Sequence, residues 1–244
     1  MKIAIVGYGR MGKFVEEYSK KRGHEVAIII NPSLGTKKED LLNLSFDVII
    51  DFSIPQVALE NMRFYAKNNF KVIMGTTGWY EDLDEIKNLF TRSNGALLWA
   101  GNFSIGVHLF WKMIENASKI INKFEDYDVF GHEFHHNKKA DSPSGTATKT
   151  ANILLENIDR KTSIITEELS HRAIKPEELH FSSTRGGYIP GIHQVYFDSI
   201  FDTIKIEHSA RTREGFALGS VVCAEWLNKK TGYFEIDDFI KEII

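Results

Sequence analysis

What this chain lacks narrows the field first. Its 244 residues hold one cysteine, Cys223, so no internal disulfide can form and a reducing compartment fits. Cys223 lies in the apolar run VVCAEW, which reads as a buried small side chain rather than a nucleophile. No apolar run reaches the length of a membrane span, and the one after Met1 is too short for a signal peptide. A strong excess of charge is missing too. The net charge of −3 gives no whole-molecule attraction to nucleic acid or to an anionic membrane. Internal repeats and low-complexity segments are absent. We therefore expect a cytoplasmic globular protein with no nucleic-acid or membrane partner.

What is present begins with a strand, a glycine loop and a helix. Lys2 to Val6 is a short β-branched run, followed by GYGRMG, in which Gly7, Gly9 and Gly12 have the G-x-G-x-x-G spacing. Met11, Phe14, Val15 and Tyr18 then recur at helical spacing, and Val26 to Ile30 is a second strand. Glycines placed between a strand and a helix let backbone approach a pyrophosphate, and the helix start favours its charge. An acid normally follows the second strand to hold a ribose hydroxyl, but here the residue is Asn31, with Lys37 and Lys38 a few positions on. Asn31 can bond a hydroxyl and does not repel a 2′-phosphate, so NADH and NADPH both stay open. Strand candidates at 46–52, 71–74 and 96–100 alternate with helical stripes, and Gly75-Thr76-Thr77-Gly78 follows the fourth strand. This beat predicts an α/β fold, a Rossmann-type doubly wound parallel sheet over 1–104. From 105 onward a long helical stripe, four strand candidates and a capped helix predict a second, α+β domain over 105–214. The polar 159–178 segment reads as a surface excursion. The nearly all-apolar helix at 216–227 suggests that 215–244 packs back onto the first domain.

The densest chemistry lies at 131–147, GHEFHHNKKADSPSGTA. His132-Glu133-Phe134-His135-His136 spells H-E-x-x-H, a zinc pattern that works only on a helix. The preceding residues alternate like a strand, and Pro143 and Gly145 stop a helix from continuing, so we expect no metal. A histidine near its ordinary pKa moves protons at neutral pH, while lysines and a Ser144-capped helix start bind carboxylates. Beside a hydride donor, these groups suit reduction of a small, unsaturated, carboxylated compound.

The stretch EFHHNKKADSPSGTA resembles the signature of the dihydrodipicolinate reductase family, E-x-H-H-x-x-K-x-D-x-P-S-G-T, with every fixed position filled. GYGRMG at 7–12, GTTG at 75–78, NFSIG at 102–106, and RGG with PGIH at 185–193 agree in order. The resemblance implies NAD(P)H-dependent reduction of 4-hydroxy-tetrahydrodipicolinate to tetrahydrodipicolinate, with loss of water, in lysine and diaminopimelate biosynthesis. It implies that His135 and Lys139 are catalytic proton donors. His136, Gly145, Thr146 and Thr77 would hold the substrate, a dicarboxylate. Gly7, Tyr8, Gly9, Arg10, Met11, Gly12, Asn31, Gly75, Thr76, Thr77, Ala100, Gly101, Asn102 and Phe103 would line the cofactor. It also implies a homotetramer assembled through the second domain's sheet, and closure of one domain on the other during transfer. Arg185 and His193 receive no role from the motif. Two other readings compete: a different two-domain NAD(P)-dependent reductase or amino-acid dehydrogenase, which would lack the P-S-G-T helix start, and a non-catalytic dinucleotide sensor, which would not need His135 and Lys139.

Overall fold

Short apolar runs become strands and amphipathic stripes become helices through most of the chain, and the nearly all-apolar 216–227 run is helical as well. The computed structural model describes residues 1–167 and 169–243. In chain order these hold β1 (Lys2–Val6), α1 (Arg10–Lys21), β2 (Glu25–Ile30), β3 (Val48–Asp51), α2 (Pro55–Lys67), β4 (Lys71–Met74), α3 (Leu83–Arg92) and β5 (Ala96–Trp99). There follow α4 (Ile105–Ile121), β6 (Asp128–His135), α5 (Gly145–Asn157), β7 (Ser163–Ile165), β8 (Glu178–Arg185), β9 (Ile192–Asp198) and β10 (Thr203–Ser209). The chain ends with α6 (Glu214–Leu227), β11 (Gly232–Glu235) and α7 (Ile236–Ile243). Two compact units result, Met1–Ser104 with Glu214–Ile244, and Ile105–Arg213.

The first unit is a six-stranded parallel sheet in the order β11-β5-β4-β3-β1-β2. Its central strands are apolar on both faces because both faces are covered, as parallel crossovers require. All of β3 is buried, as are residues 3–6 of β1. On one face α6 completes the core with Ala217, Val221, Cys223, Ala224 and Leu227, all fully buried. Burying a Val or Leu side chain stabilises the fold by about 2 kcal/mol, so this C-terminal helix is a large part of the first unit's stability. Burial pushes the Cys223 thiol pKa far up, which suits packing and not nucleophilic chemistry. The sheet order reverses direction at β1, between β2 and β3, which creates a switch point at the carboxyl ends of β1 and β3.

The second unit is a mixed five-stranded sheet, β10-β9-β6-β8-β7, with β6 central, antiparallel to β9 and parallel to β8. Burial alternates along β6 and β9, since successive side chains point to opposite faces. The inner face carries Val129, Phe181, Val195 and Phe197 against α4 and α5. On the outer face Phe130 stacks on Tyr196 at 4.9 Å.

Two strands depart from the sequence reading. The polar 159–178 segment contains β7, which pairs in parallel with β8. The closing segment supplies β11, a sixth strand beside β5.

Candidate active site

In the first unit, the loop after β1 is built around Gly7, at φ +87°. A Cβ there would collide with the Phe52 carbonyl oxygen, so only glycine fits. At the start of α1 the N-cap is Gly9, with no side-chain cap. Its positive end therefore has no capping group of its own, which fits a pyrophosphate. Gly9 and Arg10 are exposed, Met11 packs on the core, and Gly12 is buried. The Tyr8 hydroxyl donates to Glu16. Asn31 Oδ1 accepts from the Ser33 amide at 3.2 Å and caps the turn 32–34. Lys38 is drawn into an ion pair with Glu60, while Lys37 remains exposed.

Gly75 and the buried Thr76 follow β4, with Thr77 exposed beyond them. After β5, Ala100 and Phe103 are buried and form the wall of the loop. Between them Gly101 is exposed, and Asn102 Oδ1 accepts the Ser104 amide at 2.8 Å.

In the second unit, β6 determines which histidine can do what. The H-E-x-x-H residues lie on and just past a strand, so His132 and Glu133 point to opposite faces. His132 is on the outer face, with Nδ1 2.6 Å from Ser182 Oγ and Nε2 3.1 Å from Thr184 Oγ1. Glu133 and His135 share the inner face, and sheet register brings His193 on β9 opposite Glu133 and Arg185 on β8 opposite His135.

Glu133, fully buried, is the hub. Its Oε1 accepts from the Ser144 amide (2.8 Å), the Ser183 hydroxyl (2.8 Å) and the Arg185 guanidinium (2.8 Å), and its Oε2 accepts from the Ser144 hydroxyl. Nδ1 of His135 lies 3.3 Å from Oε2 and Nδ1 of His193 lies 3.7 Å away, neither in a well-formed hydrogen bond. The bonds from Ser144, Arg185 and Ser183 outweigh burial and hold the Glu133 carboxyl at about 2, so it is ionised. Burial lowers the pKa of both imidazoles despite the attraction of Glu133, that of His193 to about 4. The two short contacts are thus between a carboxylate and neutral rings at neutral pH, not ion pairs. The His135 and His193 rings meet edge-on at 5.2 Å.

The loop after β6 carries the remaining predicted residues. His136, half-buried, donates its amide to Ile189 O at 2.8 Å, which anchors the loop to 186–191. Lys139 Nζ bonds both Asp141 oxygens, at 2.7 and 2.9 Å, and this contact lowers the Asp141 pKa. Arg185 also reaches the Asp141 carbonyl at 2.6 Å. Ser144 caps α5, its hydroxyl accepting from the Ala147 amide at 3.1 Å. The amides of Gly145 and Thr146 make no hydrogen bond to the described residues, so the first turn of α5 retains donors for an anion.

Sequence reasoning gave Glu133, Arg185 and His193 no role. The i, i+2 spacing of Glu133 and His135 on an alternating strand is the signal that could have joined Glu133 to His135. The arrival of Arg185 and His193 depends on register and has no local signal. Glu133, His135 and His193 also offer three ligand atoms within 4.8 Å of one another. Both Glu133 oxygens are already engaged by hydroxyl, amide and guanidinium donors, which makes this donor set a poor fit for a metal ion.

Two sequence families match this chain: "Dihydrodipicolinate reductase, N-terminus" over residues 1–103 and "Dihydrodipicolinate reductase, C-terminus" over residues 106–240. A 4-hydroxy-tetrahydrodipicolinate reductase of Christiangramia forsetii is 37% identical over 243 residues, covering 100% of this chain and 99% of its own. One from Archaeoglobus fulgidus is 33% identical over 261 residues, covering 99% and 100%. Among solved structures, a dihydrodipicolinate reductase from a Paenisporosarcina species, bound to dipicolinate, shares the fold with TM-score 0.78 at 22% identity, covering 96% of this chain and 97% of that one. The chain belongs to the dihydrodipicolinate reductase family.

Proposed function

We propose that the protein is a 4-hydroxy-tetrahydrodipicolinate reductase of lysine and diaminopimelate biosynthesis. The observation that carries this reading is the buried Glu133 hub, which sets a histidine and a helix start with unused amides side by side on one strand-loop-helix segment. NAD(P)H, when bound at the glycine loop of the first unit, supplies the hydride. Everything else falls to the chain's own side chains and backbone amides.

The substrate is a dicarboxylate ring. One carboxylate sits on the Gly145 and Thr146 amides, where the start of α5 favours negative charge. Lys139 meets substrate charge by exchanging its Asp141 partner for it, and His136 borders the ring. Loss of the ring hydroxyl with a proton from the adjacent carbon, as water, gives a conjugated C=C–C=N ring, and hydride addition to that ring leaves a carbon to be protonated. His135 delivers that proton, with Glu133 behind its Nδ1 to stabilise the imidazolium. The bound dicarboxylate adds negative charge nearby and raises the His135 pKa toward the working range.

The same reading includes a cytoplasmic enzyme and a homotetramer. The outer face of the second sheet supports the latter. Phe130 and Tyr196 stack there, and the exposed Ile200 and Phe201 form the tip between β9 and β10. No helix among the described residues is long and apolar enough to cross a membrane.

The test is oxidation of NADH and NADPH with freshly generated cyclic substrate. Wild-type turnover is expected, and His135→Gln should lower kcat by about 10²–10⁴-fold with cofactor affinity unchanged. Undiminished turnover in His135→Gln would remove His135 from the reaction. No cofactor oxidation by the wild type would sink the whole reading.

A further inference from the structure

β3 ends at Asp51, and Phe52 and Ser53 follow, residues to which the motifs above assign nothing. Asp51 is fully buried and faces no basic side chain among the described residues. Its carboxylate instead accepts four donors: the Ser53 amide (2.8 Å) and Thr76 hydroxyl (3.3 Å) at Oδ1, and the Tyr65 hydroxyl (2.8 Å) and Asn61 amide (3.2 Å) at Oδ2. These fill its acceptor positions. Its backbone carbonyl takes the Gly75 amide at 2.8 Å. An acid buried without a cation is a poor way to gain stability, because desolvation opposes it, and an apolar residue of similar volume packs at lower cost.

The neighbours of this carboxylate suggest a different purpose. Ser53 and Thr76 lie on the loops after β3 and β4. The ring of Phe52 fills the space where a Cβ on Gly75 would stand, and its carbonyl fills that of Gly7. The same ring meets Phe103 edge-on at 6.2 Å. Three loops, at 7–12, 75–78 and 100–103, therefore all rest on residues 51–53, at the switch point of the sheet.

We infer that Asp51 is a positioning residue of the nicotinamide-cofactor site, holding the 75–78 loop at a fixed height against the glycine loop through Thr76 and Ser53. The inference rests on the reading that these loops hold NAD(P)H. Asp51→Asn replaces one acceptor oxygen with a donor beside the Ser53 amide, which can only donate: one orientation loses that bond, and the other keeps it only if the Asn61 side chain turns over to accept.

The experiment is titration of full-length variants with NADPH and with NADH, followed by fluorescence, alongside melting curves. Asp51→Asn should raise Kd about tenfold for both cofactors. Thr76→Val should do the same, Thr76→Ser should bind as wild type does, and the double variant Asp51→Asn/Thr76→Val should be no worse than either single one. Tyr65→Phe, which removes a donor from the α2 side of the same carboxylate, should lower Tm and leave Kd within about twofold. Wild-type affinity in Asp51→Asn, or multiplied losses in the double variant, overturns the inference. If Asp51→Asn fails to fold, equal affinities of Thr76→Val and Thr76→Ser overturn it. Absence of NAD(P)H binding by the wild type sinks the cofactor reading itself, a result distinct from variants that bind as well as the wild type.

Discussion

His135 is neutral in the free protein because burial costs an imidazolium more than the Glu133 carboxylate returns. In the proposed role of proton donor it must gain its proton when it is needed, and a dianionic ligand provides the reason. Binding of pyridine-2,6-dicarboxylate at pH 7 is therefore expected to take up a proton. The sign follows from the shift: the free-state pKa lies below the ordinary 6.5, ligand charge raises it, and the difference is occupancy gained on binding. Calorimetry in two buffers of different ionisation enthalpy measures the uptake directly. Equal heats in both buffers, or an uptake that persists in His135→Gln, would assign the proton elsewhere. The concentration of acid–base groups at 131–147 is legible in the sequence. What is hidden is the central place of Glu133, because its partners Ser144, Ser183, Arg185 and His193 arrive from a helix start and two other strands.

At the scale of elements, the segment from β6 to α5 works as one unit. The strand carries Glu133, and eleven positions later Ser144 returns both its amide and its hydroxyl to that carboxylate while capping α5. The cap thus secures the loop that carries His136 and Lys139 as well as the helix. Ser144→Ala removes the cap bond and one Glu133 donor together. Its expected cost is about 2 kcal/mol in chemical denaturation, with KM for the cyclic substrate raised and KM for NAD(P)H unchanged. A matching rise in both KM values would show general damage instead. Long, strongly patterned elements such as α4 and the alternating β6 are legible from sequence. The three-residue β7 and four-residue β11 are not. β7 offers two Ile in a polar stretch and β11 has no β-branched residue, unlike the equally short β3 and β4, and each pairs at the edge that β8 or β5 offers.

For the whole molecule, the outer face of the second sheet is the surface that the proposed assembly uses. Phe130→Asp places a charge beside Tyr196 on that face, and copies meeting there would bring like charges together. Sedimentation should then show a smaller particle with unchanged far-ultraviolet dichroism, and an unchanged mass would place the assembly surface elsewhere. The parallel α/β architecture of the first unit is legible because β1 to β5 are short apolar runs, the first four rich in Val and Ile, each followed closely by a turn residue and alternating with helical stripes. The mixed order of the second sheet is not, since nothing local states that β6 lies between β8 and β9.

The first unit is assembled from both ends of the chain, with residues 105–213 between its two parts. This has a consequence for synthesis. A ribosome that has delivered everything through Arg213 has made all of the second sheet. The first sheet at that moment lacks β11 and the helix α6 that fills its core. The nascent chain therefore carries an unsealed parallel edge at β5 and a bare apolar face until the last residues emerge. Premature release near the C-terminus would yield a protein with an intact acid–base half and an aggregation-prone cofactor half.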